Sequence, residues 1–221
     1  MYEMTTEDYI QQLKYSHDSD ERVYAAFKLG REREPIVVKP LIAAIHDEDV
    51  SVRVRVVEAL GTRIEPEVIP PLIEALNDPA ISVRRSAAKS LGQLEDVRAI
   101  DPLCAALQDA DETLRTQAAE ALGCIPSEKS AEPLVQLFLH DTDATVRYFA
   151  KQSLAKVGNH AAVDAMLQAL QRETEQDVII DLIEVLGQIG DTRAKIALES
   201  LTTHEDEGIQ EMAKWALRSL K

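Results

Sequence analysis

Asp181 and Glu184, in the run "QDVIIDLIEVLGQIG", have the spacing of a general acid/base pair. Three residues apart, they share one face of a helix. Close carboxylates push each other's pKa values apart, which lets one donate a proton while the other accepts. A solvated acidic face has the same spacing, so both readings stand. A second carboxylate set pairs by interval with arginine: Asp47, Asp78, Asp109 and Asp141 accompany Arg22, Arg53, Arg84, Arg115 and Arg147. A catalyst is needed once, whereas these columns recur. They predict hydrogen bonds between successive units that set the stacking angle. His17, His46, His140 and His204 fall in turns and His160 in a loop, none with the i, i+4 partner of a helical metal site, so no metal is expected. Cys104 reads as core. Cys124 reads as exposed, but without a flanking base it is a poor nucleophile. No Gly-rich phosphate loop and no Ser-His-Asp order can be defended.

The elements that carry these residues are repeats. Leu29-Gly30, Leu60-Gly61, Leu91-Gly92 and Leu122-Gly123 recur every 31 residues, followed by Leu154-Ala155, Leu186-Gly187 and Leu217-Arg218 with one extra residue twice. Pro40, Pro71, Pro102 and Pro133 open the first helix of four units, at a first-turn position where a missing N–H does no harm. An acidic turn then caps a second helix, of which Ser82–Leu91 is typical, burying Val83, Ala87, Ala88 and Leu91. The glycine after it suits a left-handed cap. Neither helix buries its stripe alone, so the pairs must stack into an all-α solenoid. Seven units are expected in a single domain over residues 1–221, at about 5–36, 37–67, 68–98, 99–129, 130–160, 161–193 and 194–221, the end units being degenerate caps.

Composition narrows the function classes. A net charge of −15 repels phosphate backbones, so no nucleic-acid partner is expected, lesion recognition by a helical-repeat groove included. No apolar run reaches a membrane span, and the start "MYEMTTEDYIQQ" lacks a signal-peptide pattern. Two isolated cysteines suit a reducing compartment. These features predict a soluble, cytoplasmic protein without membrane insertion.

The signature D-x-D-x-x-V-R-x-x-A-A-x-A-L-G, present as "DADETLRTQAAEALG", resembles the HEAT-like repeat of phycobilisome lyases, from about Asp20 to Gly187. The resemblance implies a right-handed superhelix whose second helices line a concave face. It also implies bilin handling: a lyase-type or chromophore-detaching module, or a role in antenna turnover. Phycocyanobilin or a related bilin would be a ligand rather than a resident cofactor. The implied partner is a phycobiliprotein subunit or a second lyase-like HEAT protein. The resemblance carries over no catalytic residue, and a non-enzymatic protein–protein adaptor remains the alternative.

If repetition encodes the scaffold, function lies in the departures. Seven, six and three residues before each marker the second helix points outward, and central units are polar there. Tyr24, Phe27, Tyr148, Phe149 and Trp215 place five of the nine aromatics at such positions, with Met212 beside them. Aromatics at exposed sites favour recognition, although in the end units a cap can cover them. Val54 and Ile180 extend the apolar strip. Arg55, Arg85 and Lys89 form a small basic patch suited to bilin propionates or an acidic partner, or to plain solvation. Ile179 stands where the sixth unit should carry its ladder arginine, which marks a change of curvature or a subunit contact.

Overall fold

The computed structural model describes residues 4–125 and 127–220. Among these the chain is all-α, with fourteen helices and no strand. They fall into seven consecutive pairs: α1 (Thr6–Tyr15) and α2 (Ser19–Leu29); α3 (Val38–Ala43) and α4 (Val50–Leu60); α5 (Ile69–Ala75) and α6 (Ile81–Leu94); α7 (Ile100–Ala106) and α8 (Glu112–Cys124); α9 (Ala131–His140) and α10 (Ala144–Val157); α11 (His160–Leu170) and α12 (Gln176–Ile189); α13 (Lys195–Leu201) and α14 (Glu207–Ser219). The architecture is a helical-hairpin solenoid. Its contacts form two compact units, divided between Ala121 and Leu122.

In the first unit α2 and α4 start on acidic side chains, Asp18 and Asp49. Asp49 accepts hydrogen bonds from Ser51 N at 2.8 Å and Val52 N at 3.2 Å, satisfying donors the helix leaves open. Helix α6 starts at Ala80 without a side-chain cap. Its buried stripe includes Val83, Ala87, Ala88 and Leu91, as the period predicts. The arginine column is a ladder. Arg22 donates to both oxygens of Asp47 at 2.8 Å, and Arg53 to both oxygens of Asp78 at 2.8 and 3.0 Å. Arg84 meets Asp109 at 3.2 and 3.3 Å. Each arginine also donates from Nη1 to a carbonyl of its own turn, such as Arg53 to Asp47 O at 2.8 Å. One guanidinium thus ties its own turn to the next.

The marker glycine is not a left-handed cap. Gly30 and Gly61 have right-handed backbones with φ of −64°, and Gly92 lies inside α6. What the position requires is a missing side chain. A Cβ on Gly92 would lie 2.8 Å from both Cα and Cβ of Ala121. Gly30 faces Ala59 and Gly61 faces Ser90 in the same way. Where left-handed ends occur, they come later: Glu95 closes α6 at φ 53°, Gly158 closes α10 at φ 49° and Gly190 closes α12 at φ 74°.

In the second unit the same close approach pairs Gly123 with Ser153 and Gly187 with Ala216. An acidic cap recurs where Asp143 accepts from Thr145 N at 2.8 Å and Val146 N at 3.0 Å. The joint between α11 and α13 is electrostatic. Asp191 accepts from Arg193 N at 2.9 Å and Arg193 Nη2 at 2.9 Å, and faces His160 Nδ1 at 3.3 Å. Arg193 Nη1 also donates to Asp164 at 2.8 Å. The Arg193 guanidinium, then its backbone N–H, hold the Asp191 pKa at about 2, below the ordinary 3.8. A depressed folded pKa contributes stability that is present above the unfolded value and lost as pH falls through the folded one. Asp191→Asn is therefore expected to flatten the stability profile between about pH 4 and pH 2, read by urea denaturation across that range. Parallel profiles for variant and wild type would contradict this assignment.

Candidate functional site

Helix α10 follows the second-helix pattern and departs from it at one end. The pattern Arg84-Arg85-Ser86-Ala87-Ala88 becomes Arg147-Tyr148-Phe149-Ala150-Lys151. Two polar outward positions turn aromatic, and a lysine enters a column that holds buried Ala26, Val57, Ala88, Ala119 and Ile183 in five other units and Lys214 in the last. The marker glycine becomes Ala155, and the ladder acceptor, aspartate in four earlier turns, becomes Glu173. These departures belong to a single joint, that of α10 with α12.

A cavity of about 460 Å³ opens at this joint, lined by residues of α9, α10 and α12 and the turn before α12. Phe138, Leu139 and Val178 supply apolar wall, and Tyr148, Arg147, Lys151 and Asp181 supply polar wall. Tyr148 is 55% exposed, so the surface position expected of it is the one it occupies. Phe149 is half-buried and meets the Tyr148 ring edge-on, with centroids 5.3 Å apart and planes at 85°. Such a pair is worth about 0.5–1.5 kcal/mol beyond its buried area and fixes Tyr148 as a rigid face.

Asp181 and Glu184 do share one face, but they do not form an acid/base pair facing each other. Lys151 Nζ donates to Asp181 Oδ1 at 2.6 Å and to Glu184 Oε2 at 2.7 Å. Burial opposes the charge on Lys151, yet the two carboxylates outweigh it and raise the lysine pKa above its ordinary value. A single ammonium bound to both carboxylates is the geometry of an ion-pair clamp across the α10–α12 joint. Ile179, in place of a ladder arginine, is buried.

The other candidates divide by unit. In the second unit Trp215 is 41% exposed and lies against Gly187, while Met212 and Ile180 are half-buried. In the first unit Tyr24 and Phe27 are exposed among the described residues, and Val54 is half-buried. Phe27 sits between two guanidinium groups, Arg31 at 5.5 Å and Arg55 at 5.6 Å from its centroid. Tyr24 meets Tyr9 edge-on at 6.0 Å, with Lys28 over its ring.

The basic patch is largely neutralised. Arg55 donates to Glu58 at 2.7 Å, and Arg85 grips Asp111 through both Nε and Nη2. Of the three cations, Lys89 alone is exposed with no ion-pair partner among the described residues. Cys104 is half-buried rather than fully enclosed, and Cys124 is exposed. Among the described residues no three His, Cys, Asp or Glu side chains gather as metal ligands, and no helix is long and apolar enough to cross a membrane.

Sequence reasoning passed over Lys151 and Arg147 as site residues. A signal for each was present: an internal lysine in a column that is apolar in the other units except the last, and an arginine whose ladder acceptor changes from aspartate to glutamate.

A chain in the complex of CpcE and CpcF of phycocyanin lyase from Nostoc sp. PCC7120 is 26% identical, with 100% of this chain and 96% of that one covered and a TM-score of 0.62. The Escherichia coli protein YibA is 22% identical over 96% of this chain and 82% of that one, with a TM-score of 0.62. A designed armadillo repeat protein is 23% identical over 98% and 100%, with a TM-score of 0.52. The last two bear on the fold alone. No curated protein matches. The profile of HEAT repeats matches residues 6–82, 69–155 and 131–218, overlapping segments that span nearly all of the hairpins described above. The chain belongs to the HEAT-repeat family.

Proposed function

We propose that this HEAT-repeat scaffold is a phycobilisome-lyase-type module. It binds a bilin, or the phycobiliprotein subunit that carries one, during chromophore attachment, detachment or antenna turnover. One observation carries the reading: Tyr148, braced edge-on by Phe149, is displayed at a cavity where the repeat otherwise puts a polar residue. A flat tetrapyrrole suits an aromatic face held rigid at its edge. The similarity to a chain of the CpcE–CpcF complex supports it. In this reading the bilin is cargo, the protein works in the cytoplasm, and any acceptor thiol belongs to the antenna subunit. A second HEAT protein is the natural partner.

The test mixes the purified chain at micromolar concentration with phycocyanobilin and, separately, with chromophorylated phycocyanin. A change in absorbance or fluorescence is expected with at least one, and Tyr148→Ala/Phe149→Ala is expected to weaken it about tenfold or more, the loss of two anchoring rings. Absence of any change with both would end the pigment reading. The alternative, an adaptor without a pigment role, is favoured by the pre-paired cations Arg55 and Arg85, which leave little free positive charge in that patch for propionates. It predicts silent pigment spectra and a partner protein recovered by the wild type but not by the double variant.

A further inference from the structure

The ladder has a rung without its acceptor. Arg22, Arg53 and Arg84 each direct one edge at a carboxylate of the following turn. Arg147 keeps the other half of the arrangement, donating from Nη1 to Asp141 O at 2.8 Å and Thr142 O at 3.3 Å. Among the described residues these two carbonyls are the only hydrogen-bond partners of its guanidinium. Glu173 stands at the acceptor position but is folded back on its own turn, taking Thr174 N at 2.7 Å and Glu175 N at 2.9 Å on Oε1. Arg147 lines the 460 Å³ cavity beside Tyr148.

We propose that Arg147 is a carboxylate-binding residue: the cavity takes a ligand carboxylate onto the guanidinium edge that elsewhere in the ladder holds aspartate. A guanidinium presents two parallel N–H donors that match a carboxylate's two oxygens, and the earlier rungs show this residue position doing so. The remaining walls restrict the ligand further. Lys151 is engaged by Asp181 and Glu184, and Asp141, Glu175 and Asp177 also line the cavity. A bare anion is disfavoured among these carboxylates. A ligand that carries N–H or ammonium donors next to its carboxylate satisfies both signs of charge, with Tyr148 offering a flat face. A bilin, with propionates and pyrrole N–H groups, meets this description, and so does a glutamate in a peptide chain. The inference does not depend on the pigment reading.

Whole protein is titrated with phycocyanobilin, with its dimethyl ester, and with a short peptide bearing one glutamate, while NMR follows the Arg147 Nε–H resonance. Movement with the free pigment but not the ester assigns the carboxylate to propionates; movement with the peptide assigns it to a protein partner. Either outcome supports the site. Two variants keep the fold in view: Arg147→Lys retains charge but lacks the forked edge, and Glu173→Asp returns the usual ladder acceptor. Each is expected to weaken binding about tenfold, and Glu173→Asp to raise the thermal midpoint as well. A resonance that stays still with all three probes, or affinity unchanged in both variants, overturns the proposal. A pigment spectrum that changes while Arg147 does not would refute this site and leave the proposed function standing. If the peptide alone moves Arg147 and the spectra of phycocyanobilin and of chromophorylated phycocyanin both stay unchanged, the site stands and the pigment reading falls.

Discussion

Gly92→Ala should destabilise the protein by about 1–3 kcal/mol, and Gly92→Val by more, although both remove a glycine from within a helix. Helix propensity alone predicts the opposite sign, since alanine is favoured over glycine by about 1 kcal/mol at an interior helical position. Packing decides against propensity here. An added Cβ would meet Ala121 Cα and Cβ at 2.8 Å, and a backbone atom cannot swing aside as the end of a side chain can. Helices α6 and α8 must part to admit it, and a close-packed interior gives up dispersion contacts along the seam when they do. Urea denaturation of wild type, Gly92→Ala, Gly92→Val and the double variant Gly92→Ala/Ala121→Gly measures the effect. The double variant should recover part of the loss, because one of the two clashing carbons is removed and the other remains. Gln93→Ala, one residue on and exposed, serves as the neutral control. A Gly92→Ala protein more stable than wild type would show that the joint opens freely, and the steric account of the glycine column would fall.

The glycine column also shows what a repeat reveals and what it hides. Period and letter were legible: Leu-Gly every 31 residues announced helical pairs, and the Asp and Arg columns announced the ladder. The cause of the glycine was not. Glycine serves equally where φ must be positive and where a neighbour comes too close, and a single chain cannot separate the two. A second column would have done so. The residue two before the next marker is small wherever a glycine faces it: Ala59, Ser90, Ala121, Ser153 and Ala216. Small against small means close approach.

The candidate site was legible in the same partial way. Tyr148 and Phe149 stood out because their positions are polar elsewhere, and exposure depends on helical phase, which the repeat supplies. The charge state of the surroundings depends on partners some 25 to 33 residues away, which phase does not supply. Arg85 read as available, yet Asp111, which also caps α8 by accepting from Leu114 N at 2.8 Å, holds it. Asp181 and Glu184 read as two carboxylates sharing a face, yet Lys151, on the neighbouring helix, sits between them. Electrostatic function in a solenoid is therefore decided across joints, and a joint is read correctly only when both of its turns are read together.

That principle makes the ladder the most consequential place to cut. Asp78→Ala is expected to cost about 3–5 kcal/mol, because it leaves the Arg53 guanidinium without its counter-charge in a half-enclosed site. Both side chains of this pair are 11% exposed, so solvent cannot replace the lost carboxylate fully. The carboxylate also accepts from Ala80 N at 2.7 Å, at a helix start that has no side-chain cap of its own. Removing it therefore disturbs the joint and the beginning of α6 together. By contrast, Glu58→Ala, which breaks the exposed Arg55–Glu58 pair, should change stability by no more than about 1 kcal/mol. The pH dependence supplies an independent check. Burial raises the Asp78 pKa, but Arg53 and the Ala80 N–H outweigh burial and leave it below the ordinary carboxylate value. A carboxylate depressed in the folded state stabilises above its unfolded pKa of about 3.9 and loses that contribution as pH falls through the folded value. Wild type should thus lose stability more steeply than Asp78→Ala below about pH 4, and the two curves should converge in acid. Denaturation midpoints at neutral and acid pH measure both predictions. A gap between the two proteins that stays constant across that range would mean the rung is held by shape, with the ion pair incidental to it.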